Sequence, residues 1–242
     1  MRLSVLVAIL TLTAFVRADG HSERGPYYAF YHFYAPDPAA VVAAMDQFSA
    51  SECRQDYPAD VALSQEVING SYKSTHFIIS TFQTAADQQK AAETMRSCPA
   101  ALEFSLAMRE AGVEPTSDYL GFAAIDVNDW TQDSAFAKFD LKIAPENQAD
   151  YVEAQNALMA KLEQDLDMRS YGLGVIGFGR DQFTHWGWIG AGSTSELDTI
   201  LSDVLTHPAY LEFADSVGDL SLIHISEPTR RTPISYAVFC LK

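Results

Sequence analysis

Apolar and polar residues alternate along the chain in a pattern that predicts two successive series of strands and helices. In the first series, short runs rich in aromatic and β-branched residues predict strands over 27–34, 63–68, 75–82 and 118–125. Helical spacing predicts one helix from Asp37 to about residue 50. A second helix is predicted to begin after the N-cap Thr84, break at Pro99 and resume through Met108. The first series therefore has the order β-α-β-β-α-β.

The second series repeats this order. Strands are predicted over 135–143, 172–178 and 184–191, with a helix over 146–166 and another that begins after Ser193 and bends at Pro208. A gap-free shift of 109 residues gives 14 identities over positions 30–104, including Thr75-His76 on Thr184-His185. Identities that cluster in runs at one offset indicate an internal duplication. Each predicted unit is ferredoxin-like and covers one sheet face with helices, so we expect the two units to bury their other faces against each other.

Two matching stretches carry a resemblance to a known superfamily. They read T-H-F-I-I-S-T-F followed by C-P-A-A-L-E-F in the first unit, and T-H-W-G-W-I-G-A followed by H-P-A-Y-L-E-F in the second. With the element order, they resemble the dimeric α+β barrel superfamily, which includes the antibiotic-biosynthesis monooxygenase-like and stress-responsive barrel families. The resemblance implies an α+β fold in which tandem ferredoxin-like repeats, 19–129 and 130–219, pair within the chain as a pseudo-dimeric barrel. The last strand of the second repeat is expected to be missing or replaced.

The resemblance is compatible with two functions. In the first, the barrel binds a small hydrophobic or aromatic molecule between its sheets and, if it is an enzyme, oxidises it as a cofactor-independent, monooxygenase-like oxidoreductase. In the second, the chain is a non-catalytic structural or interaction module with a packed barrel interior. Monooxygenase-like and haem-degrading members commonly carry a Trp at the end of the third strand and a His further along. Phe82 with Ala91, and Ala191 with Ile200, stand at those places. The resemblance therefore transfers no catalytic pair, and no cofactor is expected.

Six side chains are candidates for lining a ligand site: His76, His185, Trp186, Trp188, Tyr31 and Phe33. A neutral imidazole can act as a base or ligand near pH 7, and both units keep this histidine. The alternative is that Thr-His only satisfies hydrogen bonds at a strand start. The two tryptophans alternate with glycines, which suits either a ligand platform or core packing. At the offset of 109, Tyr31 and Phe33 align with charged residues of the second unit, so they are expected either to line the barrel or to pack between its sheets.

Other functional classes are not favoured. The spacings HxxxH, HExxH and CxxC are absent, so no metal site is predicted. The glycines of 172–177 lie inside a predicted strand that precedes another strand, which does not fit a dinucleotide-binding turn. Residues 19–219 carry 31 acidic and 11 basic side chains. This net charge of −20 repels phosphate backbones, so nucleic acid is not an expected partner.

The two chain ends differ from the repeated units. Arg2, an apolar run to Phe15 and small residues up to Ala18 predict a signal peptide (1–18) cleaved after Ala18, and hence a secreted or periplasmic protein without a membrane span. Residues 220–242, LSLIHISEPTRRTPISYAVFCLK, resemble a conceptual translation of a sequencing-library adapter. We therefore expect them not to carry natural function. Outside that segment, Cys53 and Cys98 are candidates for a disulfide in an oxidising compartment.

Overall fold

The computed structural model describes residues 26–179 and 182–217, so the predicted signal peptide and the adapter-like segment lie outside the described residues. The described strands are β1 (Tyr27–Tyr34), β2 (Asp60–Gln65), β3 (His76–Phe82), β4 (Glu114–Val127), β5 (Ala135–Leu141), β6 (Tyr171–Gly179) and β7 (His185–Ala191). The described helices are α1 (Pro38–Ser49), α2 (Glu52–Gln55), α3 (Ala85–Ser97), α4 (Pro99–Glu110), α5 (Gln148–Asp165), α6 (Thr194–Thr206) and α7 (Pro208–Val217). The chain is therefore an α+β protein.

Local sequence signals decide where the helices begin. The hydroxyl groups of Thr84 and Ser193 each accept the backbone N–H three residues further on, at 3.1 Å. The Asp87 carboxylate accepts the Thr84 N–H in return, which completes a capping box. Pro99 and Pro208 each open a new helix, because proline has no N–H to continue the preceding helix but fits the first turn. The predicted caps and helix breaks are confirmed in both units.

The described strands form one antiparallel sheet in the order β2-β3-β1-β4-β6-β7-β5. β4 joins the two units by pairing with β1 on one side and β6 on the other. The sheet is curled, because Lys138 Nζ on β5 lies 5.6 Å from the Phe30 ring on β1. These strands are four places apart, which would be roughly 19 Å in a flat sheet. The concave face thus encloses an interior that both units share, and the helices cover the outer face.

One threonine in each unit fixes the first strand against the third. The Thr75 N–H donates to the Phe33 carbonyl, and the Thr184 N–H donates to the Leu141 carbonyl, both at 2.9 Å. Each threonine hydroxyl also accepts the N–H of the residue two positions further along the chain, just past the end of the first strand. Phe33 therefore corresponds to Leu141, an offset of 108, whereas the two threonines keep the offset of 109.

This one-residue difference reverses the faces that the gap-free alignment gave to the first strands, because neighbouring side chains point to opposite sides of a sheet. Lys138 occupies the place of Phe30, not of Ala29, and it faces the shared interior. Tyr31 and Phe33 face the helices, so the expectation that they line the barrel between the sheets is wrong.

The two units differ in how well their helices pack on the sheet. In the second unit, residues from β5, β7, α5, α6 and α7 form one continuous buried cluster. In the first unit, the helix-facing residues split into small clusters around Ala29, Phe33 and Phe48. Helix composition explains the difference. α6 buries Leu197, Ile200 and Val204, whereas α3 buries only Ala91.

A disulfide joins Cys53, on α2, to Cys98, at the start of α4, with their Cα atoms 6.3 Å apart. This separation lies in the usual range for a disulfide. The predicted strand 63–68 begins and ends three residues too late, because β2 spans Asp60–Gln65. Val67 and Ile68 suggested a longer strand but are 52% and 55% exposed.

No described helix is long and apolar enough to cross a membrane.

Candidate functional site

Aromatic rings fill the shared interior. The buried cluster there consists of Tyr28, Phe30, Phe77, Ile79, Tyr119, Trp186 and Trp188. Glycine makes room for the two indoles, because a Cβ at Gly174 would overlap the Trp186 ring and a Cβ at Gly172 would overlap the Trp188 ring. The remaining cavity is ≈ 50 Å³. That space suits a few waters, whereas ligand sites typically measure about 300–1,000 Å³. The two tryptophans therefore serve core packing.

Two buried ion pairs also lie in the interior. His32 Nδ1 is 2.7 Å from a Glu66 carboxylate oxygen, and Lys138 pairs with Asp140. The Lys138 ammonium lies 5.6 Å from the ring centroids of both Phe30 and Tyr119, so π faces also stabilise it. Burial would raise the pKa of Glu66, but hydrogen bonds with His32, Ser74 and Asn69 and the His32 charge together hold that pKa below its usual value. These charges are matched inside the protein.

The two repeated histidines lie on the other side of the sheet. His76 and His185 face the helices, whereas the adjacent Phe77 and Trp186 face the interior. Each imidazole Nδ1 is 2.9 Å from the hydroxyl of the preceding threonine. The expected cavity that one of these histidines would share with Trp186 or Trp188 is therefore not formed, since neighbouring strand residues point to opposite faces.

Both histidines are neutral at pH 7 in the folded chain. Burial lowers the pKa of His185 to about 4. Burial also lowers the pKa of His76, against an opposing effect of the Glu66 charge. His76 stacks on Phe33 with ring centroids 6.0 Å apart. Each unit thus uses the Thr-His pair at the same structural place, where the threonine connects the first and third strands.

A larger cavity lies between the sheet and the helices of the first unit, with a volume of ≈ 910 Å³. Its sheet side includes Tyr31 and Phe33 of β1 together with Ile78 and Ser80 of β3. Tyr31 is 48% exposed although it lies under the helices, because its ring borders this open space. Two of the six predicted ligand-site residues, Tyr31 and Phe33, therefore line this cavity.

The helix side of the cavity is apolar and adaptable. Met45 and Phe48 come from α1, Met95 from α3, and Phe104 and Met108 from α4. Methionine side chains are flexible and polarisable, so three of them can adjust to the shape of a bound molecule. The helices are held in place nearby, because the disulfided Cys53 and Cys98 pack in one cluster with Phe48, Met95 and Phe104.

A few polar groups complete the lining. Ser80 is buried and Tyr57 is partly buried, while Arg109 and Asp118 are exposed at the margin. Burial raises the pKa of Tyr57, against the effects of a hydrogen bond to Ser80 and of the Arg54 charge. Burial, followed by the charges of Tyr57 and Asp118, raises the pKa of Tyr31. Both phenols are therefore protonated near pH 7 and can donate a hydrogen bond to a bound molecule.

Several of these residues were not singled out from the sequence. Met45, Tyr57 and Met108 read as ordinary apolar positions, and only the missing apolar partners on α3 indicate an unfilled space. In the predicted strand 135–143, Phe139, Leu141 and Ile143 are expected to face the helices, while Lys138 and Asp140 are expected to face the barrel interior or an exposed edge. The structure places Leu141 and Ile143 in the helix-side core and Lys138 in the interior. Among the described residues, no group of three or more His, Cys, Asp or Glu side chains is arranged to hold a metal ion.

Comparison with solved structures identifies similar folds. The chain is similar to a candidate monooxygenase from Fusobacterium nucleatum, with 11% identity, a TM-score of 0.61 and coverage of 90% of this chain and 94% of that one. A candidate monooxygenase from Lactobacillus acidophilus gives 9% identity and a TM-score of 0.56, with coverage of 82% and 90%. The chain has the fold of the dimeric α+β barrel proteins.

An anthrone oxidase-like protein has the same barrel fold. It shares 11% identity with the chain, with a TM-score of 0.53 and coverage of 90% of this chain and 92% of that one. No family model matches the chain, and no curated protein matches it in sequence. At these identities the likeness establishes the barrel fold alone.

Proposed function

We propose that the chain binds a small apolar molecule in the helix–sheet cavity of its first unit. The observation that carries this proposal is the ≈ 910 Å³ space lined by aromatic and methionine side chains with a few polar groups. Binding sites for small molecules typically have this size and composition. The corresponding region of the second unit is filled by a continuous buried cluster, so the space is a feature of one unit and not of the fold.

The proposal moves the site from the place that the sequence suggested. A ligand between the sheets would need the interior, which aromatic rings fill. The packed interior is the feature expected of the alternative, a structural or interaction module. The helix–sheet cavity favours ligand binding over that alternative, because a purely structural unit would gain stability by filling the space.

A blocking substitution tests the binding site. Ser105 lies on the exposed side of α4 and borders the cavity, so Ser105→Trp should place an indole in the opening. Ser202 is exposed on α6 of the second unit, and Ser202→Trp is the matched control. Binding of anilinonaphthalene sulfonate, an amphiphilic dye whose fluorescence rises in apolar sites, is measured by titration. We expect Ser105→Trp to weaken binding by about tenfold or more while the control binds as the parent does, and about tenfold corresponds to 1.4 kcal/mol. Equal affinities for the two variants would refute this site.

The proposal extends to oxidation of the bound molecule. The names of the similar structures, two candidate monooxygenases and an anthrone oxidase-like protein, support this step. For anthrone as a trial substrate, the reaction consumes one O₂ and yields anthraquinone and one water. An oxygen electrode measures uptake with the parent chain and with Ser105→Trp. Uptake that only the parent accelerates is expected, and uptake at the rate of the protein-free solution would limit the function to binding.

The proposal places the protein in the periplasm or outside the cell, after removal of residues 1–18. The Cys53–Cys98 disulfide supports this location, because disulfides persist in oxidising compartments. N-terminal sequencing of the protein from an export-competent host should give Asp19 as the first residue. An N-terminus at Met1 in the cytosolic fraction would contradict export.

A further inference from the structure

Two hydroxyl-bearing residues line the helix–sheet cavity at places where the second unit has apolar ones. The first is Tyr57, which follows α2, and its counterpart at the offset of 109 is Leu166, which follows α5. The Ala59 N–H donates to the Tyr57 carbonyl at 2.9 Å. The Met168 N–H donates to the Leu166 carbonyl at the same distance, so Tyr57 and Leu166 also correspond in structure. Leu166 packs against the buried cluster that fills the second unit.

The second hydroxyl belongs to Ser80 on β3, whose counterpart at the same offset is Ile189 on β7. Ser80 lies opposite Ala29 of β1, and Ile189 lies opposite Ala137 of β5, so the two residues hold the same place in their sheets. Ser80 is only 3% exposed, and Ile189 belongs to the buried cluster of the second unit. Both places therefore carry a hydroxyl group in the unit with the cavity and a hydrocarbon side chain in the filled unit.

The two hydroxyl groups form a hydrogen bond with each other. Each hydroxyl has one proton to donate, and a single hydrogen bond between them uses only one of the two protons. Among the described residues, neither hydroxyl group has another hydrogen-bond partner. One proton therefore remains to be donated at the wall of an apolar cavity. A ligand oxygen that accepts it there forms a hydrogen bond in apolar surroundings, where leaving the donor unpaired is costly.

Building on the binding function proposed for this cavity, we infer that its ligand is an uncharged apolar molecule with one acceptor oxygen, and that Tyr57 and Ser80 select it. The oxygen, such as that of a ketone, accepts the remaining hydroxyl proton. The apolar body of the ligand contacts the aromatic and methionine side chains around the pair. An analogue without the oxygen leaves the proton unpaired when it binds, so it is rejected.

The charges near the cavity agree with an uncharged ligand. Arg109 and Asp118 have opposite charges and are both exposed at the margin, so together they favour neither an anion nor a cation. The whole chain carries a net charge of −16, which disfavours an anionic ligand further. The hydroxyl pair is thus the feature of the wall that distinguishes one apolar molecule from another.

Two compounds of nearly equal size test the selection. Benzophenone has a carbonyl group where diphenylmethane has a methylene group, and equilibrium dialysis against the full chain measures the affinity for each. The double variant Tyr57→Phe/Ser80→Ala removes both hydroxyl groups with little change of shape. Tyr210→Phe is the matched control, because Tyr210 is a partly buried phenol of the second unit outside the cavity. We expect the ratio of the benzophenone affinity to the diphenylmethane affinity to fall about tenfold in the double variant and to stay unchanged in the control.

The other outcomes separate this inference from the proposed binding site. An unchanged ratio in the double variant, while Ser105→Trp still weakens binding of both compounds, would overturn the selection by Tyr57 and Ser80 and leave the site in place. Failure of the parent chain to bind either compound would overturn both. Diphenylacetate serves as the anionic analogue. Tighter binding of diphenylacetate than of benzophenone, lost in Arg109→Gln, would identify a carboxylate ligand and overturn the inference.

Discussion

Replacing His185 by asparagine should remove part of the acid sensitivity of the fold. His185 is only 1% exposed, and its Nδ1 contacts the Thr184 hydroxyl at 2.9 Å. Burial holds its pKa at about 4 in the folded chain, with no charged neighbour contributing. In the unfolded chain, the pKa returns to about 6.5. Asparagine keeps a polar atom near the position of Nδ1 but does not titrate.

The sign of the effect follows from proton binding. Between pH 6.5 and pH 4, the unfolded chain binds a proton at His185 and the folded chain does not, so the free energy of unfolding rises with pH. With those two pKa values, the loss between pH 7 and pH 5 is about 2 kcal/mol. This loss should be missing in His185→Asn.

Urea denaturation at pH 7 and pH 5 measures the difference. The parent should lose about 2 kcal/mol more than His185→Asn over this interval, a difference larger than the error of linear extrapolation. His207→Asn is the control, because His207 is paired with Asp165 at the surface and asparagine can still cap α7. The same pH dependence in His185→Asn and in the parent would refute the reasoning, since His185 would then titrate alike in both states.

Two further predictions concern packing and cross-linking. Gly174→Ala should lower the free energy of unfolding by about 1–3 kcal/mol, because the new Cβ would overlap Trp186. Gly187→Ala is the control, since its Cβ would meet only ordinary contacts and should be tolerated. Chemical denaturation measures both variants, and equal stabilities would contradict the packing of Trp186. Replacing Cys53 and Cys98 together by serine should cost about 3–4 kcal/mol, as expected for a cross-link over 45 residues, and should weaken probe binding, because the disulfide lies beside the helix-side residues of the cavity. A melting temperature that neither the double substitution nor a reductant lowers would contradict the expected loss of stability.

The element order, the helix caps and the helix breaks could be predicted from the sequence because each depends on a local signal. Thr84, Ser193, Pro99 and Pro208 act within one turn of themselves. The faces of the first strands could not be predicted in the same way. A one-residue difference in offset between the first and third strands is invisible to an alignment without gaps, yet it decides whether a side chain meets the interior or the helices.

The candidate site was harder to predict, because it is a space between elements and not a motif. Tyr31 and Phe33 were identified as ligand-lining residues, but for the wrong side of the sheet. The repeated histidines were predicted to be site residues because both units keep them. The structure places them beside the threonines that connect the strands. The scarcity of large apolar residues on α3, where Met95 stands among small and polar residues, is the sequence feature that corresponds to the cavity.

The position of β4 has a consequence for how the protein unfolds. β4 pairs with β1 of its own unit and with β6 of the other unit. Neither unit can lose its sheet without breaking a ladder that the other unit also uses. The two units should therefore melt in a single cooperative transition, with the calorimetric and van't Hoff enthalpies equal, and should not behave as independent folding domains.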